Sequence, residues 1–74
     1  IRFEIPYAGN VDLSIYNLLG MKVRTLYAGQ KSAGVFVYKW DGKNDHNQSV
    51  SGGVYIYKLQ SGQDMQMHKM ILLK

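Results

Sequence analysis

A chain of 74 residues makes one domain and leaves no room for a second. Apolar residues form 46% of it, which excludes a disordered polar tract, and the lack of cysteine excludes a disulfide framework or a thiolate metal site. Nine Lys and Arg against five Asp and Glu give a net charge of +4, but Arg2, Lys22, Arg24, Lys31, Lys39, Lys43, Lys58, Lys69 and Lys74 are scattered, so no nucleic-acid footprint is present.

Strand signals dominate from the first residue. Ile1, Phe3 and Ile5 alternate with Arg2 and Glu4, and Pro6 ends this first strand. Ala8-Gly9-Asn10 reads as a turn. Val11, Leu13 and Ile15 then alternate with Asp12, Ser14 and Tyr16 to give a second strand with one apolar face. Gly20, after Leu18 and Leu19, is placed to supply positive φ in a tight reversal. A third strand runs from Lys22 to Tyr27, where Val23 and Leu26 cannot share a face without a bulge.

Residues 28–34 are small and polar and read as a loop. Val35 to Trp40 is the next strand, with Phe36, Tyr38 and Trp40 inward and Val35, Val37 and Lys39 outward. A long polar segment, 41–49, follows as an ordered loop. Gly52-Gly53 opens the strand Val54 to Gln60, which carries Tyr55, Tyr57 and Leu59 on one face. Ser61 to Asp64 is a hairpin turn, and Met65 to Leu73 is the last strand, its methionines expected to fill gaps in a small core. Six to seven short strands parted by Gly, Asn and Asp define an all-β fold, a small antiparallel β-sandwich or barrel.

Three constellations invite a chemical reading. Trp40-Asp41-Gly42 with Asn44, Asp45 and Asn47 is rich in oxygen. A calcium site needs about six to eight oxygen ligands, several of them carboxylates, and Lys43 lies in the middle of this stretch. It therefore reads as a structured turn in which Asp41 and Asn44 or Asp45 accept backbone N–H groups, Gly42 takes the unusual dihedral and Gly53 starts the following strand. No metal or other cofactor is expected. The nine aromatic residues could form a sugar-stacking strip with Tyr16 and Tyr27 at its rim, which makes a polysaccharide an alternative partner. For catalysis, His46 and His68 stand at no ligand or triad spacing, no Cys nucleophile exists, and no Gly-x-Ser-x-Gly elbow occurs. Glu4 and Asp12 read as isolated carboxylates on adjacent strands. An enzyme is not expected.

The ordered set of motifs carries a resemblance. Ile-Arg-Phe-Glu-Ile-Pro (1–6), Val-Asp-Leu-Ser-Ile-Tyr-Asn-Leu-Leu-Gly (11–20), Val-Arg-Thr-Leu (23–26), Ala-Gly (33–34), Trp-Asp-Gly-Lys-Asn-Asp (40–45), Gly-Val-Tyr-Ile-Tyr-Lys-Leu (53–59) and Lys-Met-Ile-Leu-Leu-Lys (69–74) run in sequence. Together they resemble the immunoglobulin-like domain of flagellar hook-capping proteins. They resemble still more closely the type A C-terminal sorting domains of bacterial type IX secretion cargo.

That resemblance implies an Ig-like sandwich at the C-terminal end of a larger secreted bacterial protein, beside the neighbouring domains of the parent chain. It implies passage through the periplasm to the medium or cell surface, with outer-membrane secretion machinery as partner. Lys69, Met70, Ile71, Leu72, Leu73 and Lys74 match the terminal motif and are the candidate sorting signal. The start at Ile1, without an initiator Met or signal peptide, fits an expectation that any export signal lies upstream. A passive spacer or a carbohydrate-binding accessory module are the alternatives. The Asn-Pro-rich segment that usually opens sorting domains is absent from these 74 residues, and Gln63-Asp64 and Met67 depart from the usual aromatic and Thr.

Overall fold

The computed structural model describes residues 1–74. Six strands follow in order: β1 (Arg2–Ile5), β2 (Gly9–Tyr16), β3 (Lys22–Lys31), β4 (Gly34–Val37), β5 (Gly53–Ser61) and β6 (Asp64–Leu72). They form two antiparallel sheets, one of two strands in the order β1-β4 and one of four in the order β3-β2-β5-β6. No helix is present. The fold is the expected small all-β sandwich.

The apolar alternation places the core. Leu13 pairs with Leu59 and Ile15 with Tyr57, so the odd-numbered residues of β2 and β5 share one face of the large sheet. Across from it the small sheet contributes Phe3 and Ile5, and Leu13 and Ile15 lose all contact with solvent. Phe36, Tyr38, Leu26, Tyr27 and Tyr57 pack around this nucleus half-buried. Phe3 lies 5.7 Å from both the Phe36 and the Tyr38 rings, which ties β1 to the far end of β4. Only nine residues are buried in all, so each core side chain carries a large share of a modest stability.

The third strand contains the predicted irregularity, twice. Leu13 pairs with Tyr27 and Ser14 with Thr25, leaving Leu26 as an extra residue; Ile15 pairs with Arg24 and Tyr16 with Lys22, leaving Val23 as another. The reversal between β2 and β3 is organised by Asn17, whose side-chain oxygen accepts the Leu19 and Met21 amides at 3.0 Å each, with Gly20 at φ 84°. In the β5–β6 hairpin, Gly62 takes φ 59° between the paired residues Ser61 and Asp64.

Several sequence expectations are corrected. Residues 28–31 belong to β3, paired with β2 residues 9–12, and the Gln30 amide donates to the Asn10 side chain at 2.8 Å. Their small polar composition favours a loop, but cross-strand pairing with β2, including Gly9 and Asn10, which are strand rather than turn, recruits them. The strand expected over 35–40 is paired only to Val37, opposite Arg2; Tyr38 exchanges backbone hydrogen bonds with Ile1 at 2.8 Å, and Trp40 turns instead to the Lys43 carbonyl of the following loop. Glu4 and Asp12 lie on different sheets rather than on adjacent strands. Met65 and Met67 fill no core gap. They pair with Gln60 and Lys58 on the outer face and stay more than half exposed.

Candidate functional site

The terminal strand is built from one partner only. β6 pairs with β5 over nine residues without a register shift, from Ser61–Asp64 to Gly53–Leu72. In a hairpin closed by a two-residue loop, the flanking pair exchanges both backbone hydrogen bonds and the pattern alternates from there. Asp64, Gln66, His68, Met70 and Leu72 therefore turn their amides and carbonyls toward β5. Met65, Met67, Lys69 and Ile71 turn theirs to the free edge, with their side chains on the outer face of the sheet.

The opposite edge of the same sheet is differently finished. β3 carries the two bulges and is met by the 41–50 loop: the Thr25 amide donates to the Asp45 carboxylate at 3.0 Å, the Asp45 amide donates to the Val23 carbonyl at 3.0 Å, and the Arg24 guanidinium donates to the Asn44 carbonyl at 2.8 Å. A bulged, covered edge resists strand addition, whereas a long regular edge invites it.

The loop that covers β3 is held by its own polar side chains. Asp41 accepts the Lys43 amide at 3.1 Å, and the Asn44 side-chain oxygen accepts the amides of His46 at 2.9 Å and Gln48 at 3.0 Å. The Trp40 indole donates to the Lys43 carbonyl at 2.9 Å and meets the Tyr55 ring edge-on at 4.9 Å. Gly42 is buried at φ 75°, and a Cβ there would stand 3.3 Å from Leu72 Cδ2 and from Lys74 Cε. Gly53 starts β5 opposite Leu72. No group of three or more His, Cys, Asp or Glu residues is placed to hold a metal ion.

The six residues of the terminal motif thus divide. Leu72 rests half-buried against Gly42, Met70 is half-buried opposite Tyr55, and the Lys74 ammonium donates to the Val50 carbonyl. Lys69, Ile71 and Leu73 face solvent, Ile71 at 67% and Leu73 at 85% exposure. The two tyrosines do not come together. Tyr16 is on the outer face beside Ile56, whereas Tyr27 pairs with Leu13 on the inner side and leans 6.1 Å from Tyr38, so they share no flat strip.

Two features had no signal in the sequence. Ser14 is fully buried on the outer face and donates to Asp12 at 2.6 Å. The Lys31 ammonium sits 4.2 Å from the Tyr27 and Phe36 ring centroids and 5.2 Å from that of Tyr38, to whose hydroxyl it donates at 2.8 Å. These rings come from separate segments, and only the folded register gathers them.

Two antiparallel sheets over one apolar core define a β-sandwich module of Ig-like kind. The sequence model of the FlgD Ig-like domain matches residues 5–64, and the chain belongs to that family. No curated protein and no solved structure matches the chain.

Proposed function

We propose that this module is a non-catalytic sorting and surface-anchoring domain of a larger extracellular bacterial protein, read through β6 and the residues Lys69–Lys74. One observation carries the reading: the β6 edge of the large sheet is regular over nine residues and unpaired, and the terminal motif lies on it. Along that edge Met65, Met67, Lys69 and Ile71 offer unpaired backbone groups, and Ile71 and Leu73 add exposed apolar side chains next to them. A receptor in the outer membrane gains main-chain hydrogen bonds by adding a strand there, and pockets for alternate side chains give it specificity. The ordered motifs shared with type IX sorting domains support the same reading. A second reading, a structural contact module, draws on the membership in the FlgD Ig-like family.

The test fuses the domain behind a signal peptide and a fluorescent reporter in a type IX-competent bacterium. Deleting 69–74 would strip Leu72 from Gly42, so the informative variants are Ile71→Asp and Leu73→Asp, whose side chains face solvent. Reporter in the medium or on the surface, lost in the folded variants, is the expected result. Retention of the unaltered fusion in the periplasm, or export of the variants at its level, overturns the sorting reading and leaves the structural one.

A further inference from the structure

No second sheet packs on the outer face of the four-stranded sheet, and its composition is mixed. Cross-strand pairing sets Tyr16 beside Ile56, Ile56 beside Lys69, Lys58 beside Met67 and Val54 beside Ile71. At one end the β2–β3 reversal brings Leu18 over this surface. The result is a groove of about 320 Å³ with the half-buried Tyr16 and Ile56 at its base and the exposed Leu18, Met65 and Met67 at its sides.

Charge around the groove has one sign. Lys58 lies within it, its ammonium 5.6 Å from the Tyr16 ring centroid; Lys22 pairs across from Tyr16, and Lys69 pairs across from Ile56. The one carboxylate that β2, β5 and β6 place on this face is Asp12, and it already accepts the Ser14 hydroxyl. Half-exposed methionines beside an aromatic ring adapt their shape to an incoming side chain at little cost. Three lysines around an apolar hollow complement carboxylates that flank an apolar anchor.

We propose that this groove is a docking site for a short acidic peptide segment of another protein. One large apolar side chain of that segment enters between Leu18 and Met67, and carboxylates on either side meet Lys58, Lys22 and Lys69. A lipid bilayer fits the hollow less well, because Leu18 and the methionines stand up on two sides of a concave base. The site shares Met65, Met67 and Lys69 with the β6 edge invoked for sorting, but it uses their side chains on the sheet face rather than their backbone, and Leu18 belongs to it alone.

The experiment titrates the intact 74-residue chain into fluorescein-labelled Glu-Glu-Phe-Glu-Glu and follows anisotropy. Glu-Glu-Ser-Glu-Glu and Lys-Lys-Phe-Lys-Lys serve as controls, and anionic and zwitterionic vesicles are run in parallel. The expected result is binding of the acidic Phe peptide about tenfold tighter than of the Ser peptide, with no binding of the basic one. Leu18→Ser lowers affinity for the acidic Phe peptide by about tenfold, and Lys58→Glu shifts preference toward the basic peptide. Circular dichroism confirms that each variant is folded, and Leu18→Ser leaves export of the reporter fusion unchanged. The proposal is overturned if the Phe and Ser peptides bind alike, if neither binds, or if folded Leu18→Ser binds as the unaltered chain does. Binding to anionic vesicles with indifference to the peptides overturns it equally and gives the face to lipid.

Discussion

Leu72 of the last strand rests on Gly42 of the polar loop, so closely that a Cβ there would crowd it, standing 3.3 Å from Leu72 Cδ2. This contact joins the segment that covers one edge of the large sheet to the strand that forms its other edge. The loop and the terminus are mechanically one unit, although about thirty residues separate them in sequence.

Gly42→Ala strikes that unit twice, since the position also holds φ 75°. We expect a loss of about 1–3 kcal/mol in urea unfolding, with earlier amide exchange at Leu72 and Leu73 than in the rest of β6. An unchanged midpoint would show that the terminus does not depend on the loop.

Asn44 accepts two backbone amides, those of His46 and Gln48, with one side-chain oxygen. Asn44→Ala leaves both donors without that acceptor and loosens the segment that carries Asp45 to the Thr25 amide. The expected cost is about 1–2 kcal/mol, against less than about 0.5 kcal/mol for the exposed His46→Ala. Equal midpoints for the two variants would remove Asn44 from the centre of the loop.

Proline distinguishes the two backbone faces of β6. At Met67 the amide points to the free edge, so Met67→Pro removes no ladder bond; at His68 it points to Tyr57, and His68→Pro does. The first variant is expected to fold with a modest loss, and the second to lose several times as much. Within the sorting reading, folded Met67→Pro also blocks strand addition and holds the reporter in the periplasm. The reverse order of stabilities contradicts the register derived above.

Leu13 and Met67 give the sharpest contrast between core and surface. Leu13→Ala removes a side chain with no solvent exposure and should cost about 2–5 kcal/mol, enough to unfold so small a domain at elevated temperature. Met67 is 54% exposed, and Met67→Ala should stay within about 0.5 kcal/mol. Comparable losses at both sites would return the methionine to the core.

Lys31→Met keeps the aliphatic stem and removes the charge held by three rings. A loss of about 0.5–2 kcal/mol is expected, with Lys31→Arg close to the unaltered chain. Thermal melts of the three proteins at matched ionic strength decide it, and identical melting of Met and Lys forms would reduce the cluster to hydrophobic packing.

The period-two pattern made β2 legible, because Val11, Leu13 and Ile15 share one parity; in β5, Tyr55, Tyr57 and Leu59 lie on the opposite face from Val54 and Ile56, and the pairing of Leu59 with Leu13 sets which face is inward. The conflict between Val23 and Leu26 also showed where the pattern must break, and the strand breaks at those two residues. In β6 both parities hold apolar residues, Met65, Met67 and Ile71 in one and Met70 and Leu72 in the other, so only the register against β5 decides which faces inward. Residues 28–31 stayed hidden for a different reason: their strand structure is imposed by a partner, not by composition. Of the candidate site, the terminal motif was visible as a stretch of sequence, but its division into anchored Leu72 and exposed Ile71 and Leu73 depends on Gly42, a contact across the fold. The groove was invisible because Leu18 and Met67, far apart in sequence, line one hollow only in the folded chain.

The uneven finish of the two edges sets a limit on growth. A sheet with two open sides can add neighbours endlessly and become a fibre; this one is bulged over Val23–Leu26 of β3 and covered by the loop at Val23–Thr25, and it is regular along the whole of β6. A strand that joins at β6 meets the regular edge, and two copies meeting there would turn their bulged, partly covered margins outward. Through this sheet the domain favours one added strand over continued stacking, which lowers its tendency to seed a fibre.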